Sequence, residues 1–256
     1  MRRFADVAGI VAWLNAHNWF TNPAFAIPGI MFPLFFFIAF AGGLSSVDNV
    51  PGFDYGPGYT TFTFGFVMMQ ASAFGGVFTG FAIAADFEHG FSRRILLAAP
   101  NRLAIIVGYT MSAMARAVFI VTLLFVVGLI SGMNVHASFA GFVGLLGLVL
   151  TVSALATLFA SGFAFRLRTI QAGPAMQMPV FIVLFLAPVF VPLDLVGGWV
   201  HTVAQVNPIT AIVEGGRDLI SGQSFPFAAA FAIALALPVA FTFWAVRGLR
   251  RAEAAG

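Results

Sequence analysis

The stretch 86–102, DFEHGFSRRILLAAPNR, decides how this chain is read. It sets five charges, Asp86, Glu88, Arg93, Arg94 and Arg102, between two apolar runs at 59–85 and 104–131. Each run exceeds the roughly 20 apolar residues that a transmembrane helix needs. Pro100 discourages helix at the residue before it, so 92–99 suits a short helix stopped by a proline. Ile95, Leu96 and Leu97 are many apolar residues for a solvated loop. The stretch is either a loop resting on the membrane interface or a helix that docks on a partner.

The rest of the composition agrees with lipid as the solvent. The chain is 61% hydrophobic and 8% charged, with 32 Phe. A soluble domain carries about 25% charge, so no water-soluble surface can be built from this sequence. There is no Cys, which excludes disulfides and thiol chemistry. All 12 basic residues other than His are Arg, and none is Lys. A phosphate-binding G-x-x-x-x-G-K-[ST] loop needs its Lys, so this chain binds no ATP by that route. The Arg residues pair at the ends of apolar runs and form no nucleic-acid stripe.

Outward from 86–102, six spans are expected: 24–44, 59–85, 104–131, 139–165, 174–193 and 226–246. The fold class is all-α integral membrane, one domain over 1–256. Phe4, Val7, Val11 and Leu14 recur at helical spacing, with Ile10 and Trp13 beside them. This predicts an amphipathic interfacial helix over 4–20, with Trp13 and Trp19 at headgroup level. Asn22-Pro23 turns the chain into the first span. Ser72, Gly76, Gly80 and Ala84 form a small-residue face on the second. Residues 194–224 are too polar to span and too apolar for an ordinary loop; half-helices that dip in and return, or an interfacial helix, both fit. Six spans place ten of the 12 Arg residues on one side. The positive-inside rule makes that side cytoplasmic, together with both termini.

No catalytic constellation is present. His17, His89, His136 and His201 show no ligand spacing, and no metal site is expected. Arg116 lies within the third apolar run. An Arg at depth is functional by default, but that run is longer than a bilayer requires, and snorkelling to nearby headgroups is the favoured reading. Gln70, Ser72, Thr151 and Ser153 could line a translocation path; helix-to-helix hydrogen bonding is the commoner use of such residues.

Two motifs give the chain a resemblance. The E-x-G-x-x-R-R-x-L-x-x-x-P loop (Glu88, Gly90, Arg93, Arg94, Leu96, Pro100) looks like the cytoplasmic loop of type-2 ABC exporter permeases. The stretch V-N-P-I-T-A-I-V-E-G-G-R, with Asn207, Pro208, Glu214 and Arg217, resembles their extracellular N-P-x-T…E-x-x-R signature. The resemblance implies that 86–102 is a coupling loop. Glu88, Gly90, Arg93, Arg94 and Pro100 would seat on a cytosolic ABC ATPase, with 4–20 as a connecting helix beside it. It implies an extracellular re-entrant cap over 197–223. It also implies two ATPase copies per complex, ATP and Mg held at the ATPase and no cofactor on this chain. A second permease, identical or a sister chain, would complete the complex. Small-residue faces such as Ser72, Gly76, Gly80 and Gly128-x-x-x-Gly132 are candidates for that pairing, though packing within one bundle is their commoner role.

The expected function is therefore the membrane subunit of an ATP-driven exporter in a bacterial cytoplasmic membrane. Its cargo would be hydrophobic or amphiphilic: a drug, lipid or glycolipid. The alternatives are an ATP-independent secondary transporter, which would want paired acids at the midplane, and a membrane enzyme, which would want clustered His, Asp or Ser.

Overall fold

The computed structural model describes residues 2–90, 101–223 and 227–254. Among them the chain forms nine α-helices and no strand. These are α1 (Arg2–Thr21), α2 (Pro23–Gly43), α3 (Tyr59–Glu88), α4 (Leu103–Ile130) and α5 (Phe139–Leu167), then α6 (Gly173–Phe185), α7 (Gly198–Val206), α8 (Pro208–Ser221) and α9 (Phe227–Ala254). Five of them, α2, α3, α4, α5 and α9, contain segments long and apolar enough to cross a membrane.

The fifth expected span, 174–193, differs. Helix α6 has 13 residues, which at 1.5 Å each is about 20 Å, short of a hydrocarbon core of about 30 Å. Pro188 and Pro192 explain the early stop, because neither supplies the N–H that a continuing helix would need. Residues 186–197 instead run irregularly, with one tight turn at Leu193–Leu195.

Helix boundaries follow local chemistry. The Asn22 Oδ1 accepts from the Ala24 N–H at 3.0 Å, while Pro23 takes the first position, where no N–H is required. The Ser138 Oγ accepts from the Gly141 N–H at 3.1 Å and starts α5. Arg168 ends α5 in the left-handed conformation, with φ 54°.

Helix α3 is the axis of the bundle and is buried almost continuously from Tyr59 to Ala85. Its small-residue face meets α5. A methyl on Gly76 would lie 2.7 Å from the Thr157 nitrogen, and one on Gly80 would lie 2.5 Å from the Ala160 Cβ. The face formed by Ser72, Gly76 and Gly80 is thus consumed inside one chain and is not free for permease pairing. Gly132 serves the turn after α4, with φ 84°.

Helix α1 lies beside α4. The Ala8 carbonyl and Val11 face Gly108, the Asn15 Oδ1 accepts from the Ser112 Oγ at 2.9 Å, and the Trp19 ring meets Phe119 edge-on. The two helices therefore run side by side in the same direction. Ala8, Val11, Asn15 and Trp19 are buried in this seam. Ile10 and Trp13 stay exposed, and Trp13 stacks on His17. Trp19, by contrast, packs inward against Gly29.

The bundle has two distinct ends. At one, Glu88 of α3 meets Thr169 and Ile170 after α5, and the Arg168 Nη2 donates to the Ala252 carbonyl of α9 at 2.6 Å. At the other, the Asp48 Oδ1 accepts from the Tyr59 N–H at 2.7 Å, and the Thr61 Oγ1 bonds the Asn134 backbone. There too the His136 N–H donates to the Ile220 carbonyl at 3.0 Å. The Arg-bearing ends of α5 and α9 thus lie together, opposite the loops 45–58 and 132–138.

Candidate functional site

At the first end, α3 finishes with a carboxylate. The Glu88 Oε1 accepts from the Thr169 Oγ1 at 2.6 Å and from the Ile170 N–H at 2.9 Å. It clasps the connection between α5 and α6 to the start of the 86–102 loop. Gly90 follows in the left-handed region, with φ 73°, a conformation that costs a residue with a Cβ. This gives the glycine of the loop motif its physical role. Arg93, Arg94 and Pro100 lie outside the described residues.

At the opposite end, Asn207 and Arg217 anchor α8. The Asn207 side chain works in both directions. Its Oδ1 accepts from the Ile209 N–H at 3.0 Å and caps α8, and its Nδ2 donates to the Val183 carbonyl of α6 at 2.7 Å. Pro208 occupies the first helical position, where its missing N–H costs nothing. Helix α8 then continues through Gly215 and Gly216, both buried.

Arg217 is completely buried. Its Nη1 meets the Glu214 Oε1 at 2.7 Å, its Nε donates to the Phe62 carbonyl at 3.1 Å, and its Nη2 donates to the Val189 carbonyl at 3.2 Å. The guanidinium also lies 3.4 Å from the centre of the Phe62 ring. Gly65 makes the room, since a methyl there would come within 2.6 Å of the Arg217 Cγ. The Tyr55 hydroxyl donates to the Arg217 carbonyl at 2.8 Å. One side chain thus joins α8 to α3 and to the irregular segment 186–197, and satisfies a carbonyl of that segment. Buried irregular backbone requires such partners. The i,i+3 spacing revealed the Glu214 contact. The carbonyls of Phe62 and Val189 carry no sequence signal.

Burial raises the Tyr55 phenol well above its ordinary range. Asp218, one residue beyond Arg217, is pushed up to about 6, first by burial and then by Glu214, with Arg217 opposing.

The four polar residues considered for a path are not gathered around an opening. Gln70, Ser72 and Ser153 are buried in the α3–α5 region. Ser72 and Thr151 donate to carbonyls four residues back, those of Met68 and Gly147. The side chains of Gln70 and Ser153 have no hydrogen-bond partner among the described residues. Their neighbours Met69 and Val152 do reach a cavity of about 240 Å³, together with Phe159, Val183, Ile209 and Phe241. Its lining is apolar throughout and comes from α3, α5, α6, α8 and α9.

Arg116 does not snorkel. It is 2% exposed, and its Nη2 donates to the Thr79 Oγ1 at 2.5 Å. The Trp19 ring of α1 lies 5.8 Å from the guanidinium, and Asn15, Trp19 and Arg116 line one cavity.

Residues 8–220 match the family described as ABC-2 type transporter. The chain belongs to that family. This ABC-2 permease is also 27% identical, over 230 residues, to a Pyropia yezoensis protein named "Putative transport permease ycf38"; the match covers 87% of this chain and 76% of the relative. The family match runs from α1 through α8 and so contains both motif-bearing ends. Family membership makes the chain a multi-pass membrane transport subunit, and members of the family generally pair with an ATPase.

Proposed function

We propose that this chain is the membrane-spanning permease of an ATP-driven ABC exporter. It moves a hydrophobic or amphiphilic cargo (a drug, lipid or glycolipid) out across a bacterial cytoplasmic membrane. Two such permeases, identical or sister chains, pair and sit on two cytosolic ATPase subunits, which hold ATP and Mg. The end carrying Glu88 and the Arg-rich segments is cytoplasmic, as the positive-inside rule requires. The end carrying Arg217 faces outward.

The observation that carries this reading is the construction of α3. One unbroken 30-residue helix, about 45 Å long by its rise per residue, runs between the two motif sites. Glu88 ends it, beside the coupling loop. Near its other end the Phe62 carbonyl and Gly65 hold Arg217, and with it the cap helix α8. A displacement of the coupling loop by the ATPase is thereby delivered to the exit side through a stiff element. The apolar cavity between α3, α5, α6, α8 and α9 offers the kind of surface that amphiphiles occupy.

The test is cargo-stimulated ATP hydrolysis by the cognate ATPase, co-reconstituted with the permease. Substituting Arg217→Met should lower the stimulation by cargo while leaving the ATPase bound. Unchanged stimulation in a folded variant would show that α3 does not link the two ends.

A further inference from the structure

A second cavity, of about 310 Å³, lies between α1, α2, α3 and α4, and its lining is unlike that of the first. Arg116 and Asp86 both line it. Phe78, Phe81 and Pro28 supply apolar surface, and Asn15 and Asn18 add carboxamides.

Arg116 is incompletely served by the protein. A guanidinium has five N–H donors and stays charged in any protein environment. Here Nε donates to the Ser112 carbonyl at 3.3 Å and Nη2 donates to the Thr79 Oγ1 at 2.5 Å. Nη1 has no partner among the described residues, and no carboxylate there lies within 4.0 Å of this side chain. A buried cation without an anion is costly, so the fold leaves room for one. Asp86 is half-buried, and one of its oxygens, Oδ2, accepts from the Tyr109 hydroxyl at 2.6 Å. That bond fixes the carboxylate while leaving it acceptor capacity.

The cavity therefore presents one held cation and one held anion. Asn18, Ala24 and Pro28 at its rim are exposed, so it opens on the flank made by α1 and α2. A ligand entering from a bilayer with a phosphate and an ammonium on one short head satisfies both charges, and a primary ammonium, unlike a quaternary one, also donates to the remaining acceptor sites of Asp86. A purely anionic head would satisfy Arg116 and meet repulsion from Asp86.

We propose that this cavity binds the headgroup of a zwitterionic phospholipid bearing a primary ammonium, with Arg116 receiving the phosphate and Asp86 the ammonium. The site is separate from the apolar cavity. It depends only on the chain being a membrane protein, and stands independently of the exporter reading.

The test is native mass spectrometry of the full-length chain in mild detergent. It is offered equal amounts of phosphatidylethanolamine, phosphatidylglycerol and phosphatidylcholine. The wild type should retain phosphatidylethanolamine about tenfold over the other two. Arg116→Gln should lose that retention. Asp86→Asn keeps the buried cation, and should shift the preference to phosphatidylglycerol. This reversal is something that a misfolded variant would not produce. Equal retention of the three lipids by the wild type, or a preference untouched by both substitutions, overturns the proposal. Displacement of the lipid by an equal concentration of free phosphoethanolamine would overturn the assignment to a lipid.

Discussion

Arg217 binds Phe62 twice: it donates to the carbonyl at 3.1 Å and lies 3.4 Å from the centre of the ring. The two contacts pin α8 to α3 at a single residue, and Gly65 leaves the space for the Arg217 stem. Gly65→Leu should therefore damage the same joint as Arg217→Ala from the opposite side. Removing Arg217 strands two carbonyls and the Glu214 carboxylate, a loss of about 3 kcal/mol. Thermal unfolding in detergent should show both variants well below wild type. Arg217→Lys should not rescue, because an ammonium cannot span three acceptors and a ring face.

The α3–α5 contact admits nothing larger than hydrogen at Gly76, where a methyl would lie 2.8 Å from the Ser153 carbonyl. Gly76→Val should push the helices apart and cost about 2 kcal/mol or more. The same change at Gly75, whose Cβ direction is open, should be far milder. Comparable losses of folded yield at both positions would mean that α3 and α5 do not pack as described.

Glu88 and Thr169 should be separable by chemistry. The hydroxyl–carboxylate bond of 2.6 Å is charge-assisted. Glu88→Gln should retain part of the clasp, and Thr169→Val should loosen it. Because the chain has no Cys, Glu88→Cys with Ile170→Cys gives a clean reporter. Oxidation should crosslink this pair and not a pair formed from Glu88 and Asn134.

Asp218 should make stability depend on pH. Burial and Glu214 raise it from the ordinary 3.8 to about 6, with Arg217 opposing. Between those values the folded state binds more protons than the unfolded state. Stability therefore falls as pH rises through the window, and the cost is complete above about 6. The side chain is part-exposed, so solvent screening reduces the effect. The melting temperature of the wild type should rise from pH 7 to pH 5, and Asp218→Asn should flatten that slope.

Much of the architecture was legible because bilayer thickness and hydrophobic run length set the five long helices, and because Asn22-Pro23 and Asn207-Pro208 are local capping chemistry. The early end of α6 is written in Pro188 and Pro192, but an apolar count over 174–193 overrides that signal. Arg116 departs from its expected place for a different reason. Run length says how far a side chain could reach, whereas the Thr79 hydroxyl of α3, which the sequence does not place beside it, holds the guanidinium inside. The ion pair of Glu214 with Arg217 is local and could be read from spacing. The hold on Phe62, Val189 and Gly65 joins segments that only the folded bundle brings together. The small-residue stripe on α3 marked a close contact correctly without naming α5 as the partner.

Coupling of this chain to ATP hydrolysis is measured most directly as cargo-stimulated activity of the cognate ATPase subunit in nanodiscs, with wild-type permease or with Glu88→Ala/Arg94→Ala. Stable assembly with the wild type, and a several-fold loss of stimulation or of assembly in a variant that still folds, is the predicted result. A wild-type chain that purifies without an ATPase and carries cargo without ATP would be a secondary transporter and not an ATP-driven exporter.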